Sequence, residues 1–229
     1  MKNNTINSFI FLIKFGKKEY LEQIKNGILR FTKLKRYQET ENPAIGDKDE
    51  GIESIIHQDG KLKVTFQHPL INEGKEMDVS NSIKEIRNFP DINVNKYVSC
   101  FSFFNQDDVM NKTIFDDLIL KETEWKDVLL LIQTDDFVNT LLKALRNYNI
   151  QFKPVQYIDY SQNQKGLNEF TKSKEYQYQR EVRFAINYNN EQCSNIKRID
   201  KNIIEIDLHK SFSGIIVPAK DFRNCLCIR

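Results

Sequence analysis

The stretch SFIFLIKFGKKEYLEQIKNGILRFTKL, residues 8–34, decides the fold. It opens with a mostly apolar segment at residues 8–15 that is typical of a buried strand. Residues 17–26 then place apolar side chains on one helical face, and Gly27 is a residue type that ends helices. That face carries Tyr20, Leu21 and Ile24. Residues 28–34 alternate between apolar and polar, which predicts a half-buried strand. The chain therefore begins strand, helix, strand.

Further short apolar segments bring the prediction to about eight strands with two or three helices. The predicted strands lie at residues 62–66, 96–104, 127–133, 155–158, 181–186, 203–208 and 214–217, and residues 39–60 are predicted to be a loop. The clearest helix follows an N-cap at Asp135 or Asp136. Its apolar face carries Phe137, Val138, Leu141, Leu142 and Leu145. Without regular strand–helix alternation, we expect an α+β fold of mixed, mainly antiparallel β-sheets with a few flanking helices.

Composition indicates one soluble globular domain spanning residues 1–229. The chain has 40% hydrophobic and 29% charged residues, and 34 basic side chains nearly balance 32 acidic ones. No strong overall field draws it to nucleic acid or to an anionic membrane. Its longest apolar run, residues 9–13, is too short to cross a bilayer, and Lys14 follows it without a cleavage site. We therefore expect a cytoplasmic protein that does not associate with membranes.

Common enzyme motifs and cysteine patterns give little guidance. The sequence contains no G-x-G-x-x-G, Walker A, H-E-x-x-H or G-x-S-x-G motif. The four cysteines are Cys100, Cys193, Cys225 and Cys227. Only Cys225 and Cys227 form a close pair, and no second pair stands at zinc-finger spacing, so reduced structural thiols are expected.

Three segments combine residue types that suggest chemistry. Lys14 ends the first strand, and Ser99 and Ser102 interrupt an aromatic strand. Serines three residues apart cannot share one face of a regular strand, so a bulge or a strand end would be needed to bring them together.

The third segment, residues 176–184, places Gln179, Glu181 and Arg183 on one predicted face. A glutamate oriented by an amide and a guanidinium can accept a ribose hydroxyl and offset positive charge at an anomeric carbon. The alternative is an exposed ladder in which Glu181 and Arg183 pair with charges on adjacent strands.

The order of these segments resembles the Arg/His–Ser–Glu layout of ADP-ribosyltransferases, and the opening residues 12–28 resemble that of DNA-targeting ADP-ribosyltransferase toxins. The chain also resembles a broad family of uncharacterised bacterial and phage proteins. The pieces that carry this resemblance are Asn26-Gly27, Arg36-Tyr37, Gly46-Asp47-x-x-Glu50-Gly51, Cys100-Phe-Ser102, Phe170-x-Lys172 and Tyr176-x-x-Gln179-x-Glu181-x-Arg183.

The resemblance implies an ADP-ribosyltransferase-like fold and an enzyme that uses NAD as its substrate. Glu181 would be the catalytic carboxylate at the nicotinamide ribose, and Gln179 would help to choose the acceptor. The residues expected to hold NAD or brace its pocket are Lys14, Ser99, Ser102, Tyr176 and Arg183. Phe101 or Phe103 would stack on the nicotinamide ring or, alternatively, pack in the core. Lys14 is the main departure, because lysine lacks the planar fork of the family's arginine.

The implied reaction transfers ADP-ribose to a nucleic acid or protein acceptor. The chain would act as a toxin or a phage-defence effector, with an antitoxin or another partner protein. The expectation is that Lys14, Ser102 and Glu181 meet in one open pocket, with the carboxylate facing a sugar.

Two other functions stay open. The acidic residues Asp47, Asp49 and Glu50 suit Mg²⁺ or Ca²⁺, which would favour a metal-dependent nuclease or phosphodiesterase. No metal is expected in the leading hypothesis. The third hypothesis is a non-catalytic module that binds a nucleotide or a protein. A basic stretch could grip phosphates or form a solvated strand edge; it comprises Lys25, Arg30, Lys33, Lys35 and Arg36.

Overall fold

The computed structural model describes residues 11–40, 47–58, 65–66, 77–90, 95–105, 108, 127–189 and 194–222. Its strands are β1 Phe11–Gly16, β2 Ile28–Lys33, β3 Ser54–His57, β4 Thr65–Phe66, β5 Met77–Asp78, β6 Glu85–Asn88, β7 Lys96–Phe104, β8 Asp127–Leu131, β9 Gln151–Pro154, β10 Gln156–Ile158, β11 Gln164–Lys165, β12 Thr171–Ser173, β13 Glu181–Asn187, β14 Ile196–Arg198, β15 Ile203–Asp207 and β16 Gly214–Pro218. Its α-helices are α1 Lys18–Lys25, α2 Leu34–Gln38 and α3 Thr134–Ala144. Short 3₁₀ segments lie at Ser80–Ser82, Arg146–Tyr148, Lys174–Gln179 and Ala219–Asp221.

The opening strand–helix–strand unit is confirmed, apart from residues 8–10, which lie outside the described residues. Helix α1 buries Leu21 and Ile24. Tyr20 was predicted to share their face, but its side chain is 43% exposed. Tyr20 lies at the rim instead, where the Arg30 guanidinium stacks over its ring at 4.2 Å. Gly27 has φ +83° and ends the helix, as its residue type predicts.

Nine strands form one sheet in which every pairing is antiparallel. The order is β14-β15-β2-β7-β1-β8-β16, and β13 pairs with both β7 and β9. Among the described strands, only β10 and β12 pair in parallel, and they form a separate small sheet. The mainly antiparallel α+β class is therefore confirmed, and the prediction of one domain stays a prediction.

Strand β7 organises the sheet because three strands pair with it. Strand β13 pairs along one edge, from Glu181 opposite Ser102 to Asn187 opposite Lys96. The opposite edge is shared: β1 pairs with its end at residues 102–104, and β2 pairs with its start at residues 97–98. Between these two pairings, residues 99–101 of that edge are paired with no described strand. The sheet therefore has a split between β1 and β2, next to α1.

The main core lies between this sheet and α3. Phe101, Phe137 and Phe184 meet edge to face, with ring centroids 5.5–6.1 Å apart. The helix buries Phe137, Val138 and Leu141 as predicted, and Leu145 is buried just beyond its end. Phe101 packs in the core, with its side chain 2% exposed. Core packing was the alternative to stacking on a nicotinamide ring.

Several predicted boundaries are wrong. Helix α3 begins at Thr134 with Gln133 as N-cap, so Asp135 and Asp136 lie in the first turn. Acidic side chains there interact favourably with the positive end of the helix dipole. The predicted loop at residues 39–60 contains β3, which pairs with β6 and β11. Residues 62–64 of one predicted strand lie outside the described residues, and the strand there is Thr65–Phe66. Cys193, Cys225 and Cys227 also lie outside them.

Gly27→Ala should destabilise the fold by about 2–3 kcal/mol. The positive φ disfavours any side chain, and a Cβ would collide with the Lys210 carbonyl. Gly166 is a matched control because its φ is +72° but nothing lies within 4 Å of the position that a Cβ would take. Gly166→Ala should lose only about 1 kcal/mol. Urea unfolding of both variants checks this, and equal losses would contradict the packing argument.

Candidate functional site

A fully buried arginine is the centre of the charged cluster on β13. Arg183 is 1% exposed. Its Nη1 and Nη2 donate to the two carboxylate oxygens of Glu50 at 2.5 and 2.8 Å. Its Nε and Nη2 also donate to Glu181 at 3.2 and 3.1 Å, and Nη1 donates to the Glu169 carbonyl at 2.6 Å. These five contacts match the five N–H donors of a guanidinium.

Lys172 is a second buried cation in the same cluster. Its Nζ lies 3.3 Å from Glu181 Oε2 and 4.0 Å from Glu50 Oε2. It also donates to the Gln179 side-chain carbonyl at 2.7 Å and lies 4.6 Å from the Tyr176 ring centroid. Gln179 belongs to the 3₁₀ segment before β13 rather than to the strand, so the predicted shared face holds only for Glu181 and Arg183.

The Glu181 carboxylate is held ionised by this environment. Burial alone would raise its pKa, but Arg183 and Lys172 hold the pKa well below the ordinary value of 4.5. The Cys100 thiol adds a hydrogen bond that also lowers it. Part of Cys100 is exposed, yet burial and the nearby Glu181 charge raise the thiol pKa to about 12. Glu181 is therefore a stable buried anion, and Cys100 stays a protonated thiol.

A separate cavity of about 310 Å³ lies at the split between β1 and β2. Its apolar wall comes from α1, β2 and β7 and includes Leu21, Ile24, Leu29 and Val98. Its polar residues include Lys14, Arg30, Thr32, Arg36, Tyr37 and Ser99. No Asp or Glu is among the described residues that line it, so the local charge is positive. Two of its cations have acidic neighbours outside the lining: Arg30 with Glu205 at 3.2 Å and Arg36 with Asp200 at 3.8 Å.

Ser99 is the unusual polar residue of this cavity. The side chain is 3% exposed, and its Oγ has no hydrogen-bond partner among the described residues. Lys14 lies nearby, donates from Nζ to the Cys100 carbonyl, and stands 5.1 Å from the Phe101 ring centroid. A buried hydroxyl without a partner is energetically unfavourable, which marks the position where a ligand acceptor or a water would bind.

The predicted site residues thus divide between two places. Lys14 and Ser99 line the cavity. Glu181, Arg183, Gln179 and Tyr176 belong to the buried cluster. Ser102 is opposite Glu181 in the β7–β13 register, and β7 runs through this region in regular pairing, so the bulge suggested by the serine spacing is absent from its described residues. In this conformation the Glu181 carboxylate does not face the cavity: it is 7% exposed and paired with two cations.

Sequence reasoning assigned no role to Lys172, Tyr157 or Tyr37. Tyr157 accepts the Glu181 backbone N–H at its hydroxyl oxygen, 2.8 Å away. Tyr37 lines the cavity and, like Cys100, packs against the apolar group of Leu34, Val98, Phe170 and Ala185. Lys172 and Tyr37 stand in segments that carry the family resemblance, but the residue type of Lys172 did not indicate its contact with Glu181, and that of Tyr37 did not indicate its place at the cavity.

The acidic loop does not form a metal site among the described residues. Glu50 is paired with Arg183, and Asp49 is paired with Arg87. Asp47 Oδ1 accepts the Asp49 backbone N–H at 3.0 Å, and Asp47 Oδ2 is buried without a partner among the described residues. Burial and the Glu50 charge raise the pKa of Asp47 to about 6.

Comparisons with protein-family models, with curated proteins and with solved structures returned no match for this chain. Within the described residues, no helix is both long and apolar enough to span a bilayer. The cavity and the buried cluster are therefore the features of this chain that bear on its function.

Glu50→Ala should destabilise the fold by about 3–5 kcal/mol, because it leaves the Arg183 guanidinium buried with too few acceptors. Asp136→Ala is the control: that carboxylate pairs with Lys210 at 2.6 Å on the exposed surface. Its loss should stay below about 1 kcal/mol. Urea unfolding measures both, and similar losses would show that the cluster does not stabilise the fold as a buried ion pair.

Asp47→Asn should stabilise the fold at pH 7.5 by about 1–3 kcal/mol. The pKa of Asp47 is raised from 3.8 to about 6, so its contribution to stability is present at low pH and is lost as pH rises through about 6. The wild type should therefore lose stability relative to the variant between pH 4 and pH 7, a window set by those two values. Thermal melts across that range measure the difference, and parallel curves would contradict the assignment.

Proposed function

We propose that the chain binds a nucleotide in the cavity at the sheet split, with the phosphate groups near Ser99 and Lys14. The observation that carries this proposal is the buried Ser99 hydroxyl without a partner among the described residues, beside a cation. Leaving a buried donor unsatisfied is unfavourable by about 1–3 kcal/mol, and a phosphate oxygen would recover that energy.

The rest of the cavity suits the other parts of a nucleotide. Apolar side chains line one wall, and the rings of Tyr20 and Tyr37 can contact a flat base. Arg30 and Arg36 also line the cavity, and each pairs with an acidic side chain outside the lining. The volume of about 310 Å³ is at the lower end of the range for small-molecule pockets, so part of the ligand extends beyond it.

NAD⁺ is the nucleotide proposed, and ADP-ribosyl transfer is the reaction. The choice of NAD⁺ rests on the resemblance to ADP-ribosyltransferases. In this reaction the bond between nicotinamide and ribose C1′ breaks, and nicotinamide leaves with the bonding electrons. The acceptor nucleophile then bonds to C1′ and loses its proton. A carboxylate at the ribose stabilises the positive charge that develops there. Glu181 is the candidate for that role, although its carboxylate lies in the buried cluster and outside the described cavity lining.

Calorimetry with NAD⁺ tests the binding step. The wild type should bind NAD⁺, and Ser99→Ala should weaken binding by roughly 5- to 10-fold through loss of one hydrogen bond. Lys14→Gln should weaken it by roughly 10-fold or more. Ser102→Ala is the matched control, since this serine lies on the same strand in the register position opposite Glu181. No binding, or equal effects of the two serine variants, would contradict the proposal.

Incubation with labelled NAD⁺ and cell lysate tests the reaction. We expect nicotinamide release and a labelled macromolecule, both lowered roughly 100-fold or more by Glu181→Gln. Glu50→Gln is the control, because Glu50 shares the bonds to Arg183 without the proposed contact with ribose. Both variants are compared at a temperature where circular dichroism shows them folded. Equal loss of activity in both would mean that Glu181 acts only in stabilising the cluster.

A further inference from the structure

Tyr37 is the layer between the cavity and the buried cluster. Its side chain lines the cavity together with Val98. It also packs against the group formed by Leu34, Val98, Phe170 and Ala185, as Cys100 does. Its hydroxyl has a hydrogen bond with Thr32, another cavity residue, and burial together with the nearby Glu181 and Glu50 carboxylates raises the pKa of Tyr37 above its ordinary value of 10. Tyr37 therefore borders both the cavity and the Glu181 side of the sheet, which makes it the candidate separating layer.

Opposite charges lie on the two sides of this layer. The cavity side carries Lys14, Arg30 and Arg36, with no acidic side chain among its described lining residues; Glu205 and Asp200 pair with the two arginines from outside the lining. The cluster side holds three carboxylates against two cations when Asp47 is ionised. Its members are Asp47, Glu50, Glu181, Lys172 and Arg183. Phosphates are therefore attracted to the cavity, and a cationic ring is attracted towards the cluster.

The main chain and the side chain of Tyr37 are held by different contacts. It belongs to α2, a helix of five residues that begins without a side-chain cap. Its backbone carbonyl accepts the Asp47 N–H at 3.1 Å, which holds the main chain near the acidic loop. The side chain itself is held by packing and by the bond to Thr32. Rotation of the ring therefore requires this bond to break and the ring to leave its apolar packing, while α2 stays in place.

We propose that Tyr37 is a positioning residue whose displacement by the cationic ring of the ligand joins the cavity to the Cys100–Glu181 side of the sheet. This inference rests on the proposed binding of NAD⁺. It names the ligand feature that matters: a dinucleotide with a positively charged ring enters further than a mononucleotide such as AMP. With the ring past Tyr37, the attached ribose lies between the cation-lined cavity and Glu181.

Labelling of Cys100 with N-ethylmaleimide reports the opening directly. Digestion and mass spectrometry of the full chain distinguish the Cys100 peptide from those of Cys193, Cys225 and Cys227. Tyr37→Ala should raise the rate of Cys100 labelling by roughly tenfold, because removal of the ring opens the path from the cavity. Tyr37→Phe keeps the ring and should stay within roughly twofold of the wild type. Tyr37→Leu replaces Tyr37→Ala as the opening variant if the latter does not fold.

Protection of Cys100 from labelling by a bound ligand then tests which ligand enters the path from the cavity. Saturating NAD⁺ should slow Cys100 labelling in Tyr37→Ala by roughly fivefold or more, whereas saturating AMP should leave it unchanged. Unchanged labelling in a folded Tyr37→Ala or Tyr37→Leu variant would overturn the role of Tyr37 as the separating layer. Faster labelling without protection by bound NAD⁺ would overturn the entry of the ring. If labelling rises but calorimetry detects no NAD⁺ binding, the proposed function fails while the separating layer is upheld.

Discussion

The buried contact between Arg183 and two glutamates is the most demanding interaction among the described residues. A guanidinium removed from water must find an acceptor for each of its donors, because an uncompensated buried charge strongly destabilises a fold. Glu181 comes from the same strand, Glu50 from the acidic loop, and the Glu169 carbonyl from the segment before β12. The contact therefore joins three distant parts of the chain and fixes their positions relative to β7.

The same contact explains why the proposed catalytic residue is not open to solvent. Arg183 and Lys172 already satisfy the Glu181 carboxylate, and burial by itself would favour its neutral form. A ligand that uses this charge must approach from the cavity side, where Tyr37 intervenes. The cavity is lined by cations, whereas the cluster has more carboxylates than cations. A dinucleotide that has anionic phosphates and a cationic ring is therefore favoured in one orientation.

The sequence predicted the elements that depend on local patterns. Gly27 ended the helix before it, and the spacing of Phe137, Val138 and Leu141 defined the buried face of α3. The strand predicted at residues 181–186 is also present, as β13. These features follow from periodicity and backbone conformation, which neighbouring residues determine.

Partners distant in the sequence could not be predicted in this way. Asp47, Asp49 and Glu50 have the residue types of a cation-binding loop, yet Glu50 pairs with an arginine 133 positions away. The spacing of Ser99 and Ser102 suggested a bulge, whereas regular pairing places one at the cavity and the other opposite Glu181. Residue type indicates which charges need partners, but only the three-dimensional arrangement determines which partner each one has.

The most direct test of the central claim is a crystal structure of the chain soaked with NAD⁺. We expect density for the diphosphate at the sheet split, within hydrogen-bonding distance of Ser99 Oγ and Lys14 Nζ, with the Arg183–Glu50 pair unchanged. Density for NAD⁺ elsewhere on the molecule, with Ser99 Oγ still lacking an acceptor, would contradict it.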